Sequence, residues 1–240
     1  MMPKGPQGQA PKDQRAGHRT RLRARFAKTG LAGFHDYEVL ELLLTFAIPR
    51  RDVKPYARAL LVRFGSLRAV FDSRLEDLQS VENIGPSAAT LIALLKETAD
   101  LYLKSQIQGK PILNSTQAVL DYCRHRLSGE RSERFLGIFL TAQNEVTAIE
   151  TLAEGTIDRV AVHPRRLLEL ALKHNAVGVV FVHNHPDGPP SPSPQDRRLT
   201  DTLTRAARAA EIAVHDHLII GRDGHFSFRD AGILPPGDVQ

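Results

Sequence analysis

Two histidines with metal-ligand chemistry stand at the end of an apolar stretch. Residues 177–185 are almost continuously apolar, which is typical of a strand buried on both faces. The stretch ends with His183 and His185, which are separated by one residue. Because side chains alternate between the two faces of a strand, both imidazoles are expected to project to the same side. The spacing therefore allows one cation to bind both rings.

A third potential ligand follows a short loop. Residues 186–192 are rich in proline and cannot form regular structure, and they lead to Ser193 and Asp196 at the head of a helix predicted over 193–210. Asp196 can return to the end of the strand as an anionic ligand. The same residues also make a favourable helix start, with Ser193 as N-cap, Pro194 at the first helical position and Asp196 at the third. From spacing alone, a metal-binding role and a purely structural role both stay open.

The ligand set indicates which metal chemistry to expect. Two imidazoles and one carboxylate leave the fourth tetrahedral position for water, which is the arrangement of a catalytic zinc site. We therefore predict one Zn²⁺ per chain, although Fe²⁺ and Mn²⁺ are compatible with the same ligands. His215 and His217 repeat the spacing but lack a comparable downstream Ser and Asp. We interpret that second pair as structural, or as hydrogen-bonded behind a ligand.

The composition narrows the class of protein. Hydrophobic residues make up 42% and charged residues 25% of the chain, as in ordinary globular proteins. No apolar run approaches the ~18–20 residues that span a bilayer, and the first residues lack the apolar segment of a secretory signal. Cys123 is the single cysteine, which excludes an internal disulfide and a cysteine-based zinc cluster. We predict a cytoplasmic protein without membrane contact.

The pattern along the chain predicts three segments. Residues 1–16 are rich in Pro, Gly, Gln and Lys and are predicted to be a disordered basic arm. Residues 17–107 have helical patterning, and a linker at 108–111 leads to residues 112–240, where strands and helices alternate. That alternation predicts an α/β domain in which helices flank a central sheet.

The helical segment contains a candidate nucleic-acid contact. Residues 81–89 have the form of a helix–hairpin–helix, in which Gly85 would supply the tight turn and leave backbone N–H groups open to a phosphate. The positive charge lies elsewhere, since residues 1–28 hold eight Lys/Arg against Asp13 alone, a net charge of +7. Weak DNA binding through the arm and the Gly85 hairpin is therefore one expectation, and a solvated tail is the other.

The metal-site residues match a known signature. His183-x-His185, seven residues, Ser193, two residues and Asp196 resemble the complete JAMM signature of the JAB/MPN metalloprotease superfamily. The words VHNHPDG, VHPRRLLELAL, GHRTRLRARF and AIPRRDVKPYARALL are similar to the RadC family, and the resemblance covers nearly the whole chain from Gly17. It implies a JAB/MPN-like mixed sheet flanked by helices, of cytidine-deaminase-like architecture, after an all-α helix–hairpin–helix-like domain.

The resemblance also implies catalytic roles. The family has a glutamate on an earlier strand that handles the water at the metal, and the matching position is Glu133, with Glu150 and Glu154 as alternatives. Ser193 resembles the family serine that donates a hydrogen bond to the tetrahedral oxyanion. The implied reaction is hydrolysis of an amide bond in a protein or peptide substrate.

Other functions compete with amide hydrolysis. The alternative is a DNA-associated repair or recombination accessory protein whose metal domain is mainly a binding module. A metal-dependent nuclease is a weaker reading, because such sites usually use carboxylate-rich or two-metal clusters. A nucleobase deaminase is disfavoured, because its zinc set requires a P-C-x-x-C sequence that one cysteine cannot supply.

Overall fold

The structure is a computed structural model that describes residues 12–112, 116–155, 162–186 and 188–235. The chain divides into two compact units, residues 1–97 and residues 98–240. The boundary between the units, at residue 97, falls inside one long helix (Pro86–Ile107). The sequence predicted that the helical domain ends ten residues later, at residue 107. Among the described residues, no helix is both long enough and apolar enough to cross a membrane.

The first unit is helical. It contains α1 (Lys12–Thr29), α2 (Asp36–Ala47), α3 (Lys54–Phe64), α4 (Leu67–Phe71), α5 (Leu75–Gln79) and the beginning of α6 (Pro86–Ile107). Its core is formed by apolar side chains of α2, α3 and α6, among them the fully buried Leu40, Leu60 and Ile92.

Helix α1 begins earlier than the sequence predicted. Residues 12–16 were predicted to belong to a disordered arm, but their backbone is helical. These five residues contain neither proline nor glycine, whereas residues 1–11, which lie outside the described part of the chain, contain both. The proline and glycine residues that favoured disorder therefore end just before α1.

Helix α1 is joined to the rest of its unit by side-chain contacts. Leu22 is buried, His18 Nε2 lies 2.8 Å from Glu41 Oε1, and Arg25 Nη1 donates to Glu38 Oε1 at 2.9 Å. Arg19 donates to the carbonyl of Ile48 at 2.9 Å. At least two of the basic residues of the N-terminal region, Arg19 and Arg25, are thus bound within their own unit.

The second unit contains a five-stranded sheet. Its elements are the end of α6, α7 (Thr116–Leu127), β1 (Glu133–Leu140), β2 (Val146–Gly155), α8 (Pro164–Lys173), β3 (Gly178–Asn184), α9 (Pro194–Ala209), β4 (Ala213–Gly221) and β5 (Gly224–Ser227). The strand order is β2-β1-β3-β4-β5. Only β3 and β4 pair in parallel among these strands, and α9 connects them. The predicted mixed α/β sheet flanked by helices is confirmed.

Each face of the sheet has its own apolar core. Ile138 and Val180 pack with side chains of α7 on one face. Phe139 and Phe181 pack with side chains of α8 and α9 on the other. Because side chains alternate along β1 and β3, Phe135 and His183 point to the α9 face together with Phe139 and Phe181. The sequence analysis did not predict α7 or β5, because β5 has only four residues and the apolar pattern of α7 is weak.

Candidate metal centre

The strand β3 places both histidines beside the helix that carries the aspartate. His183 is the penultimate residue of β3, and His185 follows the strand and donates its backbone N–H to the carbonyl of Ile220 at 2.8 Å. Residue 193 then caps α9, so the turn from strand to helix returns Asp196 to the end of β3.

Three potential ligand atoms converge at this point. The Nε2 atoms of His183 and His185 lie 3.0 Å apart. Asp196 Oδ1 is 3.2 Å from His183 Nε2, and Asp196 Oδ2 is 3.4 Å from His185 Nε2. One potential ligand atom from each of the three residues lies within 4.8 Å of those from the other two. In a tetrahedron with metal–ligand bonds of about 2.05 Å the ligand atoms are about 3.3 Å apart, so these residues fit a zinc-sized ion.

The cap of α9 fixes the carboxylate. Ser193 N–H donates to Asp196 Oδ2 at 2.7 Å, and Asp196 N–H donates to Ser193 Oγ at 3.1 Å. The structural and the metal-binding interpretations of this sequence are thus compatible, because one carboxylate caps the helix and faces the histidines. Burial alone would raise the pKa of Asp196, but the protonated forms of His183 and His185, which donate to its carboxylate from Nε2, outweigh burial and hold that pKa well below its usual range.

The loop after β3 orients His185. Its Nδ1 lies 3.0 Å from the carbonyl oxygen of Pro189. A carbonyl can only accept, so Nδ1 carries the hydrogen and the Nε2 lone pair faces the cluster when the ring is neutral. The hydrogen bond to Asp196 raises the pKa of His185. The loop itself packs closely on Gly221 at the end of β4.

The three glutamates singled out by sequence lie in different surroundings. Glu133 Oε1 is 4.0 Å from His185 Nε2, at the edge of the cluster. Burial raises the pKa of the Glu133 carboxyl, although His183 and His185 oppose the shift. Glu150 instead accepts from His174 and Lys173, and Glu154 pairs with Arg134. Of the three glutamates, the structure therefore brings Glu133 beside the candidate ligands.

Sequence reasoning missed the residue that holds Glu133 in place. Asn184 Oδ1 accepts from the N–H of Arg134 at 2.7 Å, and Asn184 Nδ2 donates to the carbonyl of Ser132 at 3.3 Å. The amide thus binds the residues on both sides of Glu133 and ties the start of β1 to the end of β3. Its position between the two histidines, on the opposite face of the strand, was the available signal.

The second histidine pair divides into two environments. His217 is fully buried, and its Nε2 lies 2.8 Å from His183 Nδ1. Burial lowers the pKa of His217 well below its usual value, so this ring is neutral near pH 7. Of the two interpretations that the sequence allowed, hydrogen bonding behind a candidate ligand describes His217, because its ring contacts that of His183. His215 packs elsewhere, against Gly178.

The hairpin predicted to contact DNA differs in detail from its expected form. The left-handed residue of the turn is Asn83, with φ of 65°, whereas Gly85 directly precedes α6. A Cβ atom added to Gly85 would meet nothing within 4 Å. Gly85 is thus not required for the turn itself, and it leaves open space at the beginning of α6.

The mixed sheet and the His-His-Asp centre at the end of its central strand, β3, define a JAB/MPN-type domain. Residues 113–233 match the sequence model of the family described as RadC-like JAB domain. The chain is also similar to a UPF0758 protein of Ruegeria pomeroyi, with 40% identity over 217 residues that cover 90% of this chain and 97% of that protein. A UPF0758 protein of Rhodobacter capsulatus is 40% identical over 213 residues, which cover 89% of this chain and 100% of the relative. The chain belongs to the RadC family.

Proposed function

We propose that this protein is a zinc-dependent hydrolase of peptide or isopeptide bonds. The observation that carries the proposal is the convergence of His183, His185 and Asp196 within 4.8 Å, with the Glu133 carboxylate beside them. These residues would hold a zinc ion, which would lower the pKa of a bound water toward ~7 and polarise a carbonyl group. Membership of a family with a JAB domain supports the same reaction class.

Glu133 is proposed as the general base and acid. Its carboxylate takes a proton from the attacking water and later passes that proton to the leaving amine nitrogen. Burial raises its pKa toward neutrality, which makes it a better proton acceptor than an exposed glutamate. The Asn184 amide holds the backbone on both sides of Glu133 and so limits where the carboxylate can lie.

Ser193 is proposed to stabilise the oxyanion. Its Oγ accepts from the N–H of Asp196, which leaves the hydroxyl hydrogen available for donation to a substrate oxygen. A single donor of this kind can lower a barrier by about 3 kcal/mol. The same side chain caps the helix and, in this proposal, would also donate to the substrate oxygen.

A cleavage screen tests the proposal. Zinc-loaded wild-type protein is incubated with a peptide library, with and without chelator, beside Glu133→Gln and the control Glu154→Gln. We expect cleavage by the wild type and the control, loss with chelator, and loss in Glu133→Gln, because glutamine keeps the shape but cannot accept the proton. Undiminished cleavage by Glu133→Gln would contradict the role of this residue, and cleavage that chelator leaves unchanged would contradict metal dependence.

The alternative function is DNA association through the first unit. It is supported by the open space at Gly85, directly before α6, where the positive end of the helix dipole can face a phosphate. The exposed Arg21 and Lys28 on α1 add positive charge to this unit. Duplex DNA binding that weakens steeply as salt rises is the expected result, and absence of binding at ~100 mM salt would contradict it.

A further inference from the structure

A buried series of hydrogen bonds runs behind the metal centre. His183 Nδ1 lies 2.8 Å from His217 Nε2, and His217 Nδ1 lies 2.6 Å from Thr200 Oγ1. The Thr200 hydroxyl is also 2.6 Å from the backbone carbonyl oxygen of Asp196. Both His217 and Thr200 are completely buried, so water cannot replace these partners. The series starts at one proposed ligand and ends on the backbone of another.

The direction of the hydrogen bonds follows from counting hydrogens. The carbonyl of Asp196 can only accept, so the single hydroxyl hydrogen of Thr200 points to it. The Thr200 oxygen must then accept, and His217 Nδ1 must carry a hydrogen. Because the neutral His217 ring has only one N–H, its Nε2 is an acceptor, and His183 Nδ1 must be the donor.

The opposite direction would leave one contact without a hydrogen. If Thr200 donated to His217 Nδ1, Thr200 Oγ1 and the carbonyl oxygen of Asp196 would lie 2.6 Å apart in a buried site with no hydrogen between them. His183 would then carry its hydrogen on Nε2, the atom that faces His185 and Asp196. That tautomer cannot bind a metal through Nε2.

We infer that Thr200 and His217 are positioning residues that hold His183 in the tautomer whose Nε2 lone pair faces the metal centre. This inference rests on the proposed zinc site. The usual partner of a metal-binding histidine is a carboxylate, a backbone carbonyl or water. Here the partner is a second imidazole, and a threonine hydroxyl on the helix of Asp196 sets its orientation.

Helix α9 supplies a matched control for a test. Thr204 is one turn after Thr200 and is also buried, but among the described residues its hydroxyl has no hydrogen-bond partner. Thr200→Val and Thr204→Val therefore make the same chemical change on the same helix, and only the first removes an anchor from His217. Thr200→Ser restores the hydroxyl.

The first measurement is zinc affinity, by competition with a chelator. We expect Thr200→Val to bind zinc about 10–100-fold more weakly than the wild type, as is usual when a partner behind a ligand is lost. Thr204→Val and Thr200→Ser should stay close to the wild type. Equal affinity of Thr200→Val and Thr204→Val would overturn the inference.

The second measurement separates this inference from the proposed function. Long-range ¹H–¹⁵N spectra of metal-free protein at about pH 8 identify which ring nitrogen of His217 carries the hydrogen. We expect Nδ1–H in the wild type and in Thr204→Val, and its loss in Thr200→Val. A hydrogen on Nε2 in the wild type would overturn the inference, whereas a wild type with this Nδ1–H that binds no zinc would contradict only the proposed function.

Discussion

Substitution of Gly221 by alanine tests whether the loop after β3 positions His185. A Cβ atom at this residue would lie 2.6 Å from Pro190 N, 2.7 Å from Pro190 Cδ and 3.0 Å from the carbonyl oxygen of Gly188. Backbone and ring atoms cannot turn aside as a flexible side chain can. The loop and the end of β4 must therefore separate.

The required movement is comparable to the tolerance of a hydrogen bond. Ordinary contact begins near 3.4 Å, so the closest pair must separate by about 0.8 Å, which is 3.4 minus 2.6. The bond from His185 Nδ1 to the Pro189 carbonyl is 3.0 Å long, and the same shift would carry it past 3.5 Å. We expect zinc affinity to fall about 10–100-fold, because His185 loses the partner that orients it. Overpacking should also lower the free energy of unfolding by about 1–3 kcal/mol.

The assay is zinc competition with a chelator, together with denaturant unfolding of metal-free protein. Gly224→Ala is the matched control, since Gly224 begins β5 in the same hairpin and an added Cβ meets nothing within 4 Å. Equal zinc affinity of Gly221→Ala and Gly224→Ala, whether at the wild-type level or below it, would refute the reasoning.

Three further predictions concern other parts of the chain. Ser193→Ala and Ser66→Ala each remove an N-cap hydroxyl that accepts a backbone N–H at 3.1 Å, so each should lower the free energy of unfolding by about 1 kcal/mol. Only Ser193→Ala should also lower the cleavage rate, and equal cleavage rates of the two variants would contradict the oxyanion role. Burial raises the pKa of Cys123 to about 12, so the free energy of unfolding should fall above about pH 9, by up to about 1.4 kcal/mol per pH unit. In unfolding measurements Cys123→Ala should make that slope shallower, and an unchanged slope would count against this burial. If duplex DNA binds, Arg21→Gln with Lys28→Gln should reduce the slope of log affinity against log salt by about 1.8, and an unchanged slope would exclude both residues from the contact.

Much of the metal centre was predictable because its residues are close in sequence. His183, His185 and Asp196 lie within fourteen positions, and a strand, a loop and a capped helix are local structures with local signals. The role of Glu133 came from the family resemblance, and its closeness to His185 follows from antiparallel pairing of β1 with β3, in which Phe135 faces His183. Strand pairing of this kind depends on long-range contacts that periodicity does not encode.

The supporting contacts were not predictable for the same reason. Thr200 and His217 meet because α9 packs over the sheet, and a threonine inside a helix gives no warning of a buried histidine partner. The basic region near the N-terminus was interpreted as an arm, yet Arg19 and Arg25 bind carbonyl and carboxylate oxygens of their own unit. Charge counts record how many cations a segment has, but they do not show which of them are paired.

The central claim is most directly tested by the metal content of purified protein. Elemental analysis of the wild type should find about one zinc ion per chain, and the double variant His183→Ala/His185→Ala should lose it, because two of the three converging ligands are removed. The double variant His215→Ala/His225→Ala, which removes two histidines outside the converging three, should keep the ion. Unchanged zinc in His183→Ala/His185→Ala would contradict the claim that this cluster is the metal centre.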